Sequence, residues 1–107
     1  MSQPSRYVLV LTTVADPETA RIIARALVEQ RLAACVHIDE IDSVYRWDGR
    51  INEEKEWRVT AKTKQAAADR VRAAIHALHP YDLPAMTSID LRDVDPDYAA
   101  WIDESVG

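Results

Sequence analysis

The sequence predicts an α+β fold, in which an antiparallel sheet carries helices on one face. Segments whose apolar residues suit strands alternate with segments whose apolar residues recur at helical spacing, in the order strand, helix, strand, strand, helix, strand. The chain has 107 residues, of which 48% are hydrophobic and 29% are charged. Because this size and composition suit one packed core, we expect a single domain over residues 1–107.

The first strand and the first helix have the clearest sequence signals. After a polar tail over residues 1–6, the unbroken apolar run from Tyr7 to Thr13 predicts a strand that is buried on both faces. Asp16 followed by Pro17 predicts a helix start, because the aspartate accepts a backbone N–H bond and proline needs none at the first helical position. The apolar positions that follow have helical spacing: Ala20, Ile23, Ala24, Leu27 and Val28.

Two strands joined by a tight turn are predicted next. Cys35–Ile38 opens the second strand and Val44–Trp47 closes it, while Asp39–Ser43 interrupts the two-residue alternation and predicts a bulge or bend. Asp48-Gly49 predicts a hairpin turn, since glycine accepts a positive φ. The third strand is expected from Ile51 to Thr63. Its even positions share one face: Glu56, Arg58, Thr60 and Lys62.

The last third of the chain predicts a helix, a strand and a second helix. An alanine-rich helix is expected from Gln65 to Leu78, with Thr63 as its N-cap and His79-Pro80 ending it. A fourth strand is expected over Met86–Leu91, and Asp95-Pro96 begins a short C-terminal helix. With right-handed crossovers, this order gives the ferredoxin-like β-α-β-β-α-β arrangement followed by one short helix.

The charge of the chain limits its partners. Thirteen lysines and arginines against 18 aspartates and glutamates give a formal net charge of −5, whereas binding to nucleic acid or to an anionic membrane surface depends on basic residues. The chain has no apolar run of the roughly 20 residues that cross a bilayer, and its first residues lack the apolar stretch of a signal peptide. We expect no nucleic acid, no membrane and a cytoplasmic location.

Five short motifs follow one another along the chain. They are Leu32-Ala33-Ala34-Cys35-Val36, Tyr45-x-Trp47-x-Gly49-x-Ile51, Glu56 with Lys62-Thr63, His79-Pro80-Tyr81-Asp82-x-Pro84 and Tyr98-x-x-Trp101. In this order and at these spacings, the chain resembles the CutA divalent-cation tolerance family. The resemblance implies a ferredoxin-like subunit in a tight homotrimer, similar in architecture to the P-II regulatory proteins. It also implies a role in the response to metal ions, copper among them, without enzymatic activity.

The paired strands also predict a homotrimer on physical grounds. A two-stranded segment from Ile41 to Ile51 is too long to be buried inside so small a domain, and it carries Tyr45 and Trp47, residue types that favour interfaces. A long exposed strand edge invites aggregation unless another chain covers it, and closed symmetry provides that cover. The alternative is a solvated hairpin tip.

Candidate metal ligands fall in two places. Cys35, His37 and Asp39 alternate along one strand, so their side chains share a face about 6.5–7 Å apart. The resemblance adds His79, which matches a family position associated with metal. These residues predict weak binding of copper or another divalent cation. The alternatives are that Cys35 is a small buried hydrophobic residue and that His79 is a histidine cation at a helix C-terminus, where it offsets the helix dipole.

A ligand cleft between subunits is the second candidate site. Glu56 and Lys62 share a strand face, and Trp47 and Tyr81 would form its walls around a small anionic or zwitterionic ligand. The resemblance favours this cleft for Glu56, Lys62 and Tyr81. The alternative is a solvated ladder of charges along the strand.

The sequence therefore predicts a binding protein and no enzyme. One alternative is a regulatory trimer, similar to P-II proteins, that binds a partner protein. The other is a cysteine-dependent hydrolase built on Cys35 and His79. Strand alternation alone does not bring the sulfur of Cys35 to the ring of His37, so we expect no cysteine nucleophile.

Overall fold

The computed structural model describes residues 6–107, so the predicted polar tail, apart from Arg6, lies outside the described residues. The elements are β1 (Tyr7–Val14), α1 (Pro17–Glu29), β2 (Cys35–Trp47), β3 (Arg50–Lys64), a 3₁₀ turn (Gln65–Ala67), α2 (Ala68–Leu78), β4 (Met86–Asp90) and α3 (Pro96–Ser105). This order confirms the ferredoxin-like β-α-β-β-α-β arrangement with its C-terminal helix. Within the described residues, no helix is long and apolar enough to cross a membrane.

The four strands form one antiparallel sheet in the order β2-β3-β1-β4. Helices α1 and α2 cover one of its faces, because alternate strand residues and the apolar stripes of both helices bury one another. The fully buried members of this core include Val10, Val14, Val59 and Ala61 from the strands, and Ile23, Leu27, Val71 and Ile75 from the helices.

The start of α1 confirms the predicted N-cap. The carboxylate of Asp16 accepts the backbone N–H of Thr19 at 2.8 Å and the hydroxyl of Thr19 at 2.9 Å. These bonds, the backbone one above all, lower the pKa of Asp16 from its ordinary value. The helix then begins at Pro17 as predicted.

Helix α3 closes the end of the sheet where β1 begins. Ile102 and Val106 pack against Tyr7 and Ala67 in a second, smaller core. The hydroxyl of Tyr7 donates to both carboxylate oxygens of Asp103 at 3.0 Å. This helix therefore covers part of the face that α1 and α2 leave open.

Strands β2 and β3 extend well beyond the end of β1. The pairing of β1 ends where Val14 meets Trp57, whereas β2 and β3 remain paired as far as Trp47 and Arg50. Asp48 and Gly49 both have positive φ values, 53° and 72°, which is the two-residue hairpin turn that the sequence predicts. Residues 41–56 thus form a two-stranded projection, called the ribbon below.

One local prediction, the bulge in β2, is wrong. The bulge expected over Asp39–Ser43 does not occur, because every β2 residue in that segment has its register partner on β3. The ribbon lies beyond β1 and is open to solvent, so polar residues on either face do not disturb the pairing there. Polar residues therefore interrupt the apolar alternation because this segment is open to solvent, and the backbone pairing is unchanged.

The predicted caps of the later helices also differ from the structure. Thr63 is a buried residue of β3 whose hydroxyl donates to the Leu32 carbonyl at 2.6 Å, so it does not cap a helix. A 3₁₀ turn makes the bend in place of that cap. Asp95 precedes α3 without a side-chain cap, and β4 ends at Asp90, one residue before the predicted Leu91.

Candidate functional site

A cleft of about 940 Å³ opens between the ribbon and the connection from α2 to β4. Strand alternation turns the odd β2 residues and the even β3 residues of the ribbon towards the face that the helices leave open. Its lining contains three aromatic rings and four carboxylates, and we call it the acidic cleft: Tyr45, Trp47, Tyr81, Asp42, Glu54, Glu56 and Asp82.

Glu56 is the most buried polar group in the acidic cleft. Only 7% of this residue is exposed, and its Oε2 accepts a hydrogen bond from the Tyr81 hydroxyl at 3.3 Å. Burial, followed by the charge of Glu56, raises the pKa of Tyr81 to about 12. Tyr81 is therefore a neutral hydrogen-bond donor at physiological pH.

Tyr45 and Glu54 form a second tyrosine–carboxylate pair in the cleft. The Tyr45 hydroxyl donates to Glu54 Oε1, and this bond is the largest of the causes that raise the pKa of Tyr45 to about 12. Among residues 6–107, neither Glu54 nor Glu56 forms an ion pair. The cleft therefore holds negative charge that neutral hydroxyls only partly stabilise.

His79 supports the acidic cleft from behind. Its Nε2–H donates to the Thr13 carbonyl at 2.8 Å, and its Nδ1 accepts the backbone N–H of Tyr81 at 3.2 Å. The His79 and Tyr81 rings lie 4.8 Å apart between centroids. Because both ring nitrogens have hydrogen-bond partners, His79 can ligate a metal only if one of these bonds breaks.

Cys35 and His37 come together on the edge strand β2. Cys35 Sγ lies 3.5 Å from His37 Nε2, with Cys35 half-buried and His37 exposed. Strand alternation alone does not produce this contact, because it depends on the two side chains leaning towards each other. The pair offers one thiol and one imidazole nitrogen at the protein surface.

The other predicted ligands do not join this pair. Asp39 faces Arg58 in a two-pronged ion pair, with nitrogen–oxygen distances of 2.7 and 3.2 Å. His79 lies at the end of β1, separated from β2 by β3. Within the described part of the chain, no three histidine, cysteine, aspartate or glutamate side chains are grouped closely enough to hold one ion.

Lys62 lies apart from the acidic cleft within one subunit. Its Nζ donates to the Tyr98 hydroxyl at 2.9 Å and lies 4.9 Å from the centroid of that ring, which stacks on Trp101. Six residues of extended strand, about 20 Å, separate Lys62 from Glu56. The structure thus brings together Glu56, Tyr81 and Trp47 of the predicted cleft residues, and places Lys62 beside α3.

Sequence reasoning missed part of the acidic cleft. Glu54 lies two residues from Glu56 on the same strand face, so alternation alone could have found it. Asp82 follows Tyr81 directly and enters the cleft through the fold of the connection. No local pattern predicts that position, because it depends on how the connection crosses the end of β1.

Comparison with known proteins places this chain among characterised relatives. The family described as "CutA1 divalent ion tolerance protein" matches residues 8–105. The divalent-cation tolerance protein CutA of Thermus thermophilus is 40% identical over 100 residues, covering 92% of this chain and 97% of that protein.

Solved structures agree with this match. CutA1 from the psychrotrophic bacterium Shewanella sp. SIB1 superposes with a TM-score of 0.93 at 30% identity, covering 97% of this chain and 98% of the other. The periplasmic divalent cation tolerance protein CutA of Archaeoglobus fulgidus superposes with a TM-score of 0.91 at 33% identity, covering 94% and 99%. The chain therefore belongs to the CutA1 family of divalent ion tolerance proteins.

Proposed function

We propose that this protein is a homotrimeric, non-enzymatic binding protein of the metal-ion response, and that it holds copper weakly between Cys35 and His37. The supporting observation is the 3.5 Å separation of Cys35 Sγ and His37 Nε2 on an accessible strand. A thiolate and an imidazole nitrogen are donors that suit copper. Both side chains need only small rotations to face one ion.

Weak binding follows from the number of donors. Two side chains fill at most two coordination positions, and the neighbouring carboxylate of Asp39 is already bound to Arg58. Water, or a group from another molecule, would complete the coordination. In this arrangement His79 acts as a structural residue, since its ring nitrogens hold Thr13 and Tyr81 in place.

Copper(I) titration under anaerobic conditions tests this site, with Zn²⁺ as a redox-inert divalent comparison. We expect Cys35→Ser and His37→Ala each to lose most of the affinity. His76→Ala, which removes an exposed histidine of α2, serves as the matched control and should bind like the parent. Binding should also weaken in acid, because protons compete with the metal for its donor atoms. Unchanged affinity in both Cys35→Ser and His37→Ala would contradict the assignment.

The homotrimer is supported by apolar residues that the subunit cannot cover. Ile51 follows the same alternation as the buried Val59 and Ala61, and Val44 follows that of Val36, yet both lie outside the core that the described helices cover. Val44 and Ile51 are 65% and 60% exposed, and Trp47 is 56% exposed. Neighbouring copies would bury these side chains and protect the long free edge of β2.

The acidic cleft is the second binding site in this proposal. It lies at the base of the ribbon, combines ring walls with a few polar groups, and is large enough for a small ligand. Because Trp47 belongs both to the cleft lining and to the exposed ribbon surface, a ligand there would lie next to the boundary between subunits.

A further inference from the structure

Glu56 is a buried carboxyl group with few stabilising partners. The residue is only 7% exposed, and buried carboxylates are almost always paired with a cation or fully hydrogen-bonded. The Tyr81 hydroxyl bonds Oε2 at the long distance of 3.3 Å. No described lysine or arginine pairs with Glu56, and this long bond is its one side-chain hydrogen bond among residues 6–107.

The nearby cations are already paired elsewhere. Lys55 is bound to Glu40 at 3.1 Å and to Asp42 at 3.5 Å, and Arg58 is bound to Asp39. The cleft lining contains no lysine or arginine. Of the four carboxylates in that lining, only Asp42 has a cationic partner among the described residues.

The walls of the cleft suit a cation that has an apolar body. Trp47 and the two tyrosines belong to the lining, and the faces of such rings attract ammonium and guanidinium groups. Val44 and Leu83 add aliphatic surface to the same lining. Within one chain, an anion would meet carboxylates that have no cationic partner here, whereas a cationic group would be attracted to them.

A metal ion suits the cleft less well than an organic cation does. No three carboxylates or histidines of the described chain are grouped closely enough to surround an ion. The Tyr45 hydroxyl already bonds one oxygen of Glu54, and the Tyr81 hydroxyl bonds one oxygen of Glu56. A single N–H donor, in contrast, needs only one carboxylate oxygen as its acceptor.

We propose that the acidic cleft binds an organic ammonium or guanidinium group, which donates N–H bonds to Glu56 while its alkyl body lies against Trp47. This inference rests on the proposal that the cleft is a binding site, and it does not depend on copper binding at Cys35 and His37. The cationic group has two potential sources: a free amine, or a lysine or arginine side chain of a neighbouring copy.

The test is an NMR titration with n-butylamine, which is charged at pH 7, alongside butan-1-ol and butyrate as neutral and anionic analogues of similar shape. We expect n-butylamine alone to shift the resonances of cleft residues. Glu56→Gln should weaken its binding about tenfold or more, since hydrogen bonds to charged groups contribute about 1.5–3 kcal/mol. Glu54→Gln changes an exposed cleft residue, so it keeps the test valid if the buried substitution perturbs folding.

A matched control is Glu53→Gln, which removes one negative charge from the opposite face of the same strand. It should bind n-butylamine like the parent. If the occupant is a neighbouring side chain, n-butylamine will not bind the assembled protein, and Glu56→Gln will instead lower the assembly mass while Glu53→Gln will not.

Two results would overturn the inference in distinguishable ways. Binding of butyrate or butan-1-ol at least as tight as that of n-butylamine would show a ligand site of a different chemical class. No response to any of the three compounds, together with an unchanged assembly mass for Glu56→Gln, would contradict the cleft as a binding site altogether.

Discussion

The helix-covered half of the sheet and the ribbon are parts of the same two strands, yet they are stabilised differently. Val59 and Ala61 of β3 are fully buried beneath α1 and α2, whereas Ile51 of the same strand is 60% exposed. The alternation of side chains continues through both halves, and only the cover changes. The covered half buries its apolar side chains within the subunit. The ribbon exposes apolar side chains to water, which is energetically unfavourable.

Both proposed sites lie on the face of the sheet that α1 and α2 leave open. Glu56 is the residue at which the ribbon begins, and it is buried although Glu54, one pleat further out, is exposed. Cys35 and His37 lie on the free edge of the sheet. Function in this fold is therefore expected on the open face of the sheet, with one site at the base of the ribbon and the other on the free edge.

The largest predicted effect compares two isoleucines. Ile75→Ala removes a fully buried side chain of the core and should lower the free energy of unfolding by about 2–5 kcal/mol. Ile51→Ala truncates a side chain on the ribbon, so it should act mainly on association and leave the core intact. Urea denaturation at two subunit concentrations, with mass measurements on each variant, separates these effects.

The comparison of the two halves fails if these variants behave alike. An Ile75→Ala variant that unfolds like Ile51→Ala, at the same assembly mass, would mean that the core is not the main source of stability. An equal loss of assembly mass on dilution for both variants would carry the same message, because only the ribbon substitution should weaken association.

A smaller predicted effect is that the covered half and the ribbon lose stability at opposite ends of the pH scale. The lowered pKa of Asp16 means that its contribution to stability is present above the ordinary value of 3.8 and is lost as pH falls through the lowered value. The raised pKa of Tyr45 means that its contribution is present below 10.0 and is lost as pH rises towards about 12. Acid should therefore weaken the covered half first, and alkali the ribbon.

Two substitutions test this pH prediction. Asp16→Asn keeps a capping side chain but should flatten the fall of the melting temperature in acid, while Tyr45→Phe should flatten the fall in alkali. Melting curves across both pH ranges provide the measurement. If each variant kept the full pH dependence of the parent, these two hydrogen-bonded groups would not be its source.

Local sequence signals predicted the elements of this fold well. Asp16 with Pro17, and Asp48 with Gly49, each impose a backbone geometry that needs no tertiary contact. Thr63 was misassigned because its hydroxyl has a partner 31 residues away, the Leu32 carbonyl, and no local rule contains that contact. The bulge prediction was wrong because the alternation of apolar residues indicates which side chains are buried, and it does not indicate whether the two strands are paired.

The candidate sites were predictable only where they depend on strand alternation. Alternation placed Cys35 and His37 on one face, but the 3.5 Å approach of their side chains depends on rotamers. Lys62 and Glu56 also share a face, yet their distance along β3 and the contact of Lys62 with Tyr98 separate them in one chain. Tertiary contacts decide which same-face residues become neighbours.

The central claim is that neighbouring copies cover the ribbon, and sedimentation of the parent protein and Trp47→Ala tests it most directly. We predict a parent mass three times the 12.1 kDa of one chain. Because truncating a central interface aromatic typically costs 2 kcal/mol or more, Trp47→Ala should raise the dissociation constant about 30-fold or more. A stable mass of one chain for the parent at every concentration would contradict the account.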